Sequence, residues 1–176
     1  MEPFREVLTA GGHRNSLGRS AEVLAAVRAD PGRLDELFAC IGDDDAWVRM
    51  RAVDTFEKLV REDPERARPY LGRVLGDLTR SDQPSVQWHV AQVLAVAPLT
   101  AGQRRRAVAW LVARLETTEV DWIVAAQSLA ALDAFERRGH VGTAELVRLL
   151  EVQAGHPSAS VRRKVAGYLA RVRPAG

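Results

Sequence analysis

Cysteine is nearly absent. Cys40 is the only one in 176 residues, which excludes a disulfide framework and any site built on two thiolates. It lies in the apolar run Leu37, Phe38, Ala39, Cys40, Ile41 and reads as a small buried hydrophobe in a reducing compartment. No stretch approaches the roughly 18 uninterrupted apolar residues of a membrane span. The opening Met1-Glu2-Pro3-Phe4-Arg5-Glu6 carries charge where a signal peptide needs its apolar core, so a cytoplasmic protein that does not enter a membrane is expected. Histidine is also scarce: His13, His89, His140 and His156 show no i,i+4 pairing, which leaves zinc ligation without local support. Asp43-Asp44-Asp45 lacks the alternating oxygen ligands, central glycine and closing glutamate of a calcium loop, and helix capping explains it better. There is no glycine-rich phosphate loop with its lysine and no nucleophile elbow. Neither a catalytic constellation nor a cofactor or metal ion is expected.

What is present points to helices. The apolar share is 47%, supplied largely by Ala, Val and Leu with few aromatics, and strand signals are nearly missing. A net charge of +2 is too small to indicate a nucleic-acid binder by itself, but it is unevenly spread. Residues 156–176 hold Arg162, Arg163, Lys164, Arg171 and Arg173 with no acid, a local +5, and residues 1–155 are net −3.

One apolar quartet spaced 0, +3, +4, +7 recurs every 37 residues: Leu34, Leu37, Phe38, Ile41; Leu71, Val74, Leu75, Leu78; Val108, Leu111, Val112, Leu115. That spacing puts each quartet on one helical stripe. A fourth copy is degenerate, keeping Leu149 and Val152 in register, with Leu146 and Leu150 able to supply the other contacts. Each quartet precedes a second helix with apolar residues at 0, +5, +8 and +11, starting at Val48, Val86, Val124 and Val161. Cap-type residues stand before these helices: Asp44 and Asp45, Ser81 and Asp82, Thr118 and Glu119, Ser158. Amphipathic pairs of this length bury their stripes only by stacking on neighbours. The expectation is one all-α domain over 1–176, a right-handed α-α superhelix (solenoid) of about four to five helix pairs. A shortened N-terminal cap occupies 1–30, including a helix at about 16–29 entered through the loop Gly11–Ser16, and helix pairs cover 31–62, 64–97, 101–137 and 142–173.

At the second helices the chain resembles HEAT repeats, whose pattern runs acidic residue, small spacer, Val-Arg, then Ala and Leu at helical spacing. Asp45-Ala46-Trp47-Val48-Arg49-Met50-Arg51-Ala52-Val53 is the nearest match and Ser160-Val161-Arg162-Arg163-Lys164-Val165-Ala166 the next. Gln87 and Ala125 replace the basic residue in the other two copies, which puts the pairing that this arginine makes in doubt there. The resemblance covers roughly residues 16–172, with a period a little short of the ~40–47 usual for HEAT and armadillo units. It implies a scaffold or adaptor that holds a partner on a concave surface lined by second helices.

Helical geometry puts positions +2, +3 and +6 of each second helix opposite its core stripe. These are Met50, Arg51 and Asp54; Trp88, His89 and Gln92; Ala126, Gln127 and Ala130; Arg163, Lys164 and Gly167. Met50, Arg51, Trp88, His89, Gln92, Arg163 and Lys164 form the expected partner-binding set. Trp88 either meets a partner or folds back over an inter-repeat groove, and a solvated helix face would resemble the polar ladder. Trp47 and Trp122 are expected to pack across their turns, Trp110 to point outward, and Arg104-Arg105-Arg106 to be a solvated helix start. The expected partner is a protein of unknown identity, and the oligomeric state is open. The alternative is nucleic-acid binding related to the HEAT-like alkylpurine DNA glycosylases, whose resemblance implies a basic cleft with tryptophans beside an aspartate. This chain is shorter and only weakly basic, and its nearest acids by repeat position, Asp54 and Asp133, match no motif of that family.

Overall fold

The computed structural model describes residues 2–13 and 16–173. It is all-helical, with ten α-helices and three 3-10 segments and no strand among the described residues. The chain packs as two compact units, Met1–Ala67 and Arg68–Gly176. Their boundary falls inside the 3-10 segment Pro64–Tyr70.

In the first unit, α1 (Phe4–Thr9), α2 (Ser20–Ala29) and α3 (Leu34–Cys40) all pack on the long α4 (Ala46–Glu62). The core combines Phe4, Leu8, Val27, Leu37, Phe38, Phe56 and Leu59. Phe38 and Phe56 meet edge-on with ring centroids 5.1 Å apart, an arrangement that aligns the ring quadrupoles favourably. The Asp45 carboxylate caps α4 by accepting the Trp47 N–H at 2.7 Å, satisfying one of the donors a helix leaves open at its start. Burial pushes the Cys40 thiol up to about 11, so it is neutral at ordinary pH, as an inert core residue should be. Helix α2 begins later than the expected residue 16, because Gly18 takes a left-handed φ of 50° just before it. Arg14 and Asn15 of the expected loop lie outside the described residues.

The second unit contains α5 (Leu71–Gly76), α6 (Pro84–Val96), α7 (Ala101–Leu115), α8 (Trp122–Arg137), α9 (Thr143–Gln153) and α10 (Ala159–Val172). Helix α8 is its centre, touching α6, α7, α9 and α10. Thr100 and Gln103 close a capping box on α7, the reciprocal arrangement that pairs two otherwise open N–H groups. Ser158 stands at the start of α10 as expected, whereas the starts of α8 and α6 differ from the expected residues. Asp121 caps α8 in place of Thr118 and Glu119. Gln83 stands at the start of α6, and neither it nor Ser158 bonds a helical N–H through its side chain. On α7 the buried stripe is Ala107, Leu111 and Leu115, with Val108 and Val112 only half-buried.

The residue after the leading valine performs the same task in three second helices. Arg49 donates to the carbonyls of Asp43 and Asp44 at 2.8 and 3.0 Å. Arg162 donates to those of His156 and Pro157 at 2.7 and 2.6 Å. Gln87, the residue that departs from the arginine pattern, reaches the Ser81 carbonyl at 2.8 Å. Each side chain folds back six residues to tie down the turn that precedes its helix, and an amide suffices because the acceptor is a neutral carbonyl. Ala125 has no donor to offer.

First helices of the second unit are stitched through their carboxyl ends. Arg106 donates to the Leu75 carbonyl and the Trp110 indole to that of Thr79, both at 2.9 Å. Gln153 donates to those of Leu115 and Thr117 at 2.9 and 2.8 Å. Carbonyls left open at a helix end carry the negative pole of its dipole, so donors from the following pair are well matched to them. These contacts revise two expectations. Trp110 is a half-buried link, with the Arg114 guanidinium 5.0 Å above its ring, and Arg106 is spent on the preceding pair. No helix among the described residues is long and apolar enough to cross a membrane.

Candidate functional site

The expected binding set divides by burial. Arg51 is only 4% exposed and His89 only 1%, so neither is available to a partner, contrary to the register argument. The register assumed a single packed stripe on each second helix, whereas α4 is packed by α1 and α2 as well as by α3, and α6 lies along α8. His89 donates from Nδ1 to the Ser85 carbonyl at 2.6 Å and stacks on Trp88, centroid to centroid 3.4 Å. Asp54 and Ala126, from the same outward positions, are buried too.

The remaining residues keep solvent access. Met50 is half-buried on α4 in the first unit. In the second unit, Trp88 and Gln92 on α6 and Gln127 on α8 are half-buried, and Arg163 and Lys164 on α10 are exposed. Helix α8 contacts both α6 and α10, so these side chains belong to successive neighbouring helices. Ala130 and Ala134 on α8 are half-buried, and Ala166, Gly167 and Ala170 on α10 are exposed. Together they give the outward sides of these helices small residues. Trp122 is 49% exposed, more open than the packed indole expected there. Its position at the first residue of α8 was the available signal, since a first-turn side chain has no preceding turn of its own helix to cover.

Charges that looked free in the sequence are largely engaged. Arg171 bridges Asp133 and Glu136 at 2.6 and 2.7 Å, and Asp133 also accepts from Arg137 at 2.8 Å. Arg173 pairs with Glu151 at 2.5 Å. Of the five cations in the basic tail, only Arg163 and Lys164 make no hydrogen bond or ion pair among the described residues. Asp54 pairs with Lys58 at 2.6 Å. Neither Asp54 nor Asp133 is therefore an unengaged carboxylate beside a tryptophan. Glu136 is held below the usual carboxylate range by the Thr143 hydroxyl and then by Arg171.

No family model, curated protein or solved structure matches this chain.

Each unit has a concavity lined by both charges. In the second unit a groove of about 480 Å³ opens among Arg80, Asp82, Gln87, Arg114, Glu119 and Asp121. The Nε of Arg114 is buried without a partner, and burial lowers the pKa of this guanidinium. The first unit has a smaller cavity of about 180 Å³ between the end of α1 and the start of α4. Arg51 forms one of its walls and holds the loop after α1 through three carbonyls: Leu8 at 2.6 Å, Gly11 at 3.0 Å and Ser16 at 3.0 Å. Glycine is required at two positions of that loop. Gly12 has φ 78° and a Cβ there would run into the Ser16 hydroxyl; Gly18 has φ 50° and its Cβ would lie 2.8 Å from Arg51 Cζ. Among the described residues, no group of three His, Cys, Asp or Glu side chains converges on one point.

Proposed function

We propose that this chain is a HEAT-like repeat protein, a right-handed α-α superhelix that acts without catalysis, as a cytoplasmic scaffold or adaptor gripping a protein partner on its second helices. The observation that carries the reading is the outward side of α6, α8 and α10. A half-buried tryptophan, two glutamines and two cations that make no hydrogen bond or ion pair among the described residues stand there among small residues. Such a surface admits a partner backbone closely, offers amide donors and acceptors to it, and has one aromatic to anchor it. The repeat register and the carbonyl stitching between successive pairs support the architectural part.

Nucleic acid is the weaker reading on charge grounds. Neutralising phosphates requires a cationic track. With Arg171 and Arg173 paired to carboxylates, Arg163 and Lys164 are the cations of α10 that make no hydrogen bond or ion pair among the described residues, too few to make a track along that helix.

The test is affinity capture from the native extract at low and high salt, with and without nuclease. A defined protein recovered under all four conditions is expected. Trp88→Ala should then weaken its binding by at least about 30-fold, as loss of a central aromatic anchor does, and Lys164→Glu should slow association more than it speeds dissociation. Recovery that disappears with nuclease or high salt, or a Trp88→Ala variant that binds like the parent, would overturn the reading.

A further inference from the structure

The cavity in the first unit is lined by two opposite charges that do not pair with each other. Arg51 on one wall has a guanidinium with five N–H groups. Three are spent on Leu8, Gly11 and Ser16, leaving one N–H on each terminal nitrogen. No carboxylate among the described residues lies within ion-pair distance of it, although it is 4% exposed. A buried cation matched only by neutral carbonyls is costly. On another wall, Asp45 spends Oδ1 on the Trp47 N–H, and among the described residues no donor reaches Oδ2. The Trp47 indole, Thr9, Gly11, Gly12 and His13 complete the lining. Beneath Gly12 the Ser16 hydroxyl oxygen is buried with no hydrogen-bond partner among the described residues.

From this geometry we infer that the cavity is a binding site for a small zwitterion of the α-amino-acid class. The ligand carboxylate takes the unspent N–H groups of Arg51, the ammonium faces Asp45 Oδ2, and a short side chain lies against Trp47. At about 180 Å³ the cavity is below the ~300–1,000 Å³ of ordinary ligand pockets, which restricts it to a molecule of few atoms. A bare anion would meet Asp45 and a bare cation would meet Arg51. A zwitterion with one or two carbons between its charges is attracted at both ends. All the residues involved belong to the first unit, so the inference does not rest on the partner-binding reading.

The test uses the full chain and follows the amide signals of Gly11, Gly12 and Trp47 during titration with glycine, alanine, acetate, methylammonium and phosphate. Saturable shifts with glycine or alanine below about 10 mM are expected, with acetate and methylammonium each weaker by about tenfold or more. Asp45→Asn keeps a competent helix cap and should weaken amino-acid binding about tenfold while leaving acetate binding equal or tighter. Thr9→Trp, at the exposed rim, should abolish binding with the fold intact. The inference fails if neither amino acid shifts these signals, if Asp45→Asn leaves amino-acid affinity unchanged, or if phosphate or acetate alone binds as well as alanine.

Discussion

Replacing Arg51 by methionine lowers the stability of the first unit by about 3–5 kcal/mol, the cost of stripping a buried polar hub of its donors. Methionine fills much of the same volume, so the loss is one of hydrogen bonding more than of packing. Three carbonyls from separate points of the loop, Leu8, Gly11 and Ser16, lose their donors together. Water can reach those of the exposed loop, but the Leu8 bond is buried. Arg51→Lys recovers little, because an ammonium projects its N–H groups from one nitrogen and cannot span three acceptors as a planar guanidinium does. Trp47 is the only tryptophan of the first unit, so its fluorescence during urea unfolding, measured in a variant whose other tryptophans are replaced by phenylalanine, gives the comparison. A stability loss under about 1 kcal/mol would mean that the clasp does not hold the loop.

Leu94→Ala costs about 2–5 kcal/mol, the range for truncating a fully buried leucine, whereas Leu169→Ala costs about 1 kcal/mol or less. The two occupy the same +8 position of their second helices. Leu94 is 0% exposed, in a helix covered along its length by α8. Leu169 is half-buried, and on α10 only Val161 and Val165 are fully buried. Identical chemistry at one repeat position is therefore worth different amounts, according to how deeply that position is buried. Urea midpoints followed by helical ellipticity test this, and equal costs would mean that burial on α10 is greater in solution.

Much of the helical layout is legible in the sequence, because it rests on periodicity. The quartet at Leu34 marks α3, and the stripes starting at Val48, Val86, Val124 and Val161 each fall on a second helix. Buried positions follow those stripes closely on α4, α6 and α8. What periodicity does not encode is contact with a segment that has no period. The loop after α1 folds onto α4 and buries Arg51, a position whose helical phase alone says exposed. The clue was the glycines at 11, 12 and 18, three residues tolerant of left-handed backbone placed near one another. Similarly, His89 is buried although its helical phase says exposed, and a register that treats each helix as having one packed face cannot see this. Asp45 caps α4 as its residue type predicts, whereas the cap of α8 is Asp121 in place of Thr118 and Glu119, because residues of similar preference lie close together there and only the turn geometry chooses among them.

The clasp on the loop after α1 is made through oxygens, which separates two properties usually found together. Leu8, Gly11 and Ser16 are anchored as acceptors, while the N–H groups of Gly11, Gly12, Leu17 and Gly18 donate to no protein group among the described residues and sit at exposed positions. Deuterium should enter those four amides near their unprotected rates, the behaviour ordinarily taken for local unfolding. Their nanosecond order parameters should nonetheless match those of the adjoining helices, since fast backbone motion is limited by the anchored carbonyls. These four positions would look molten by isotope exchange and rigid by relaxation, with the guanidinium of one side chain accounting for the disagreement.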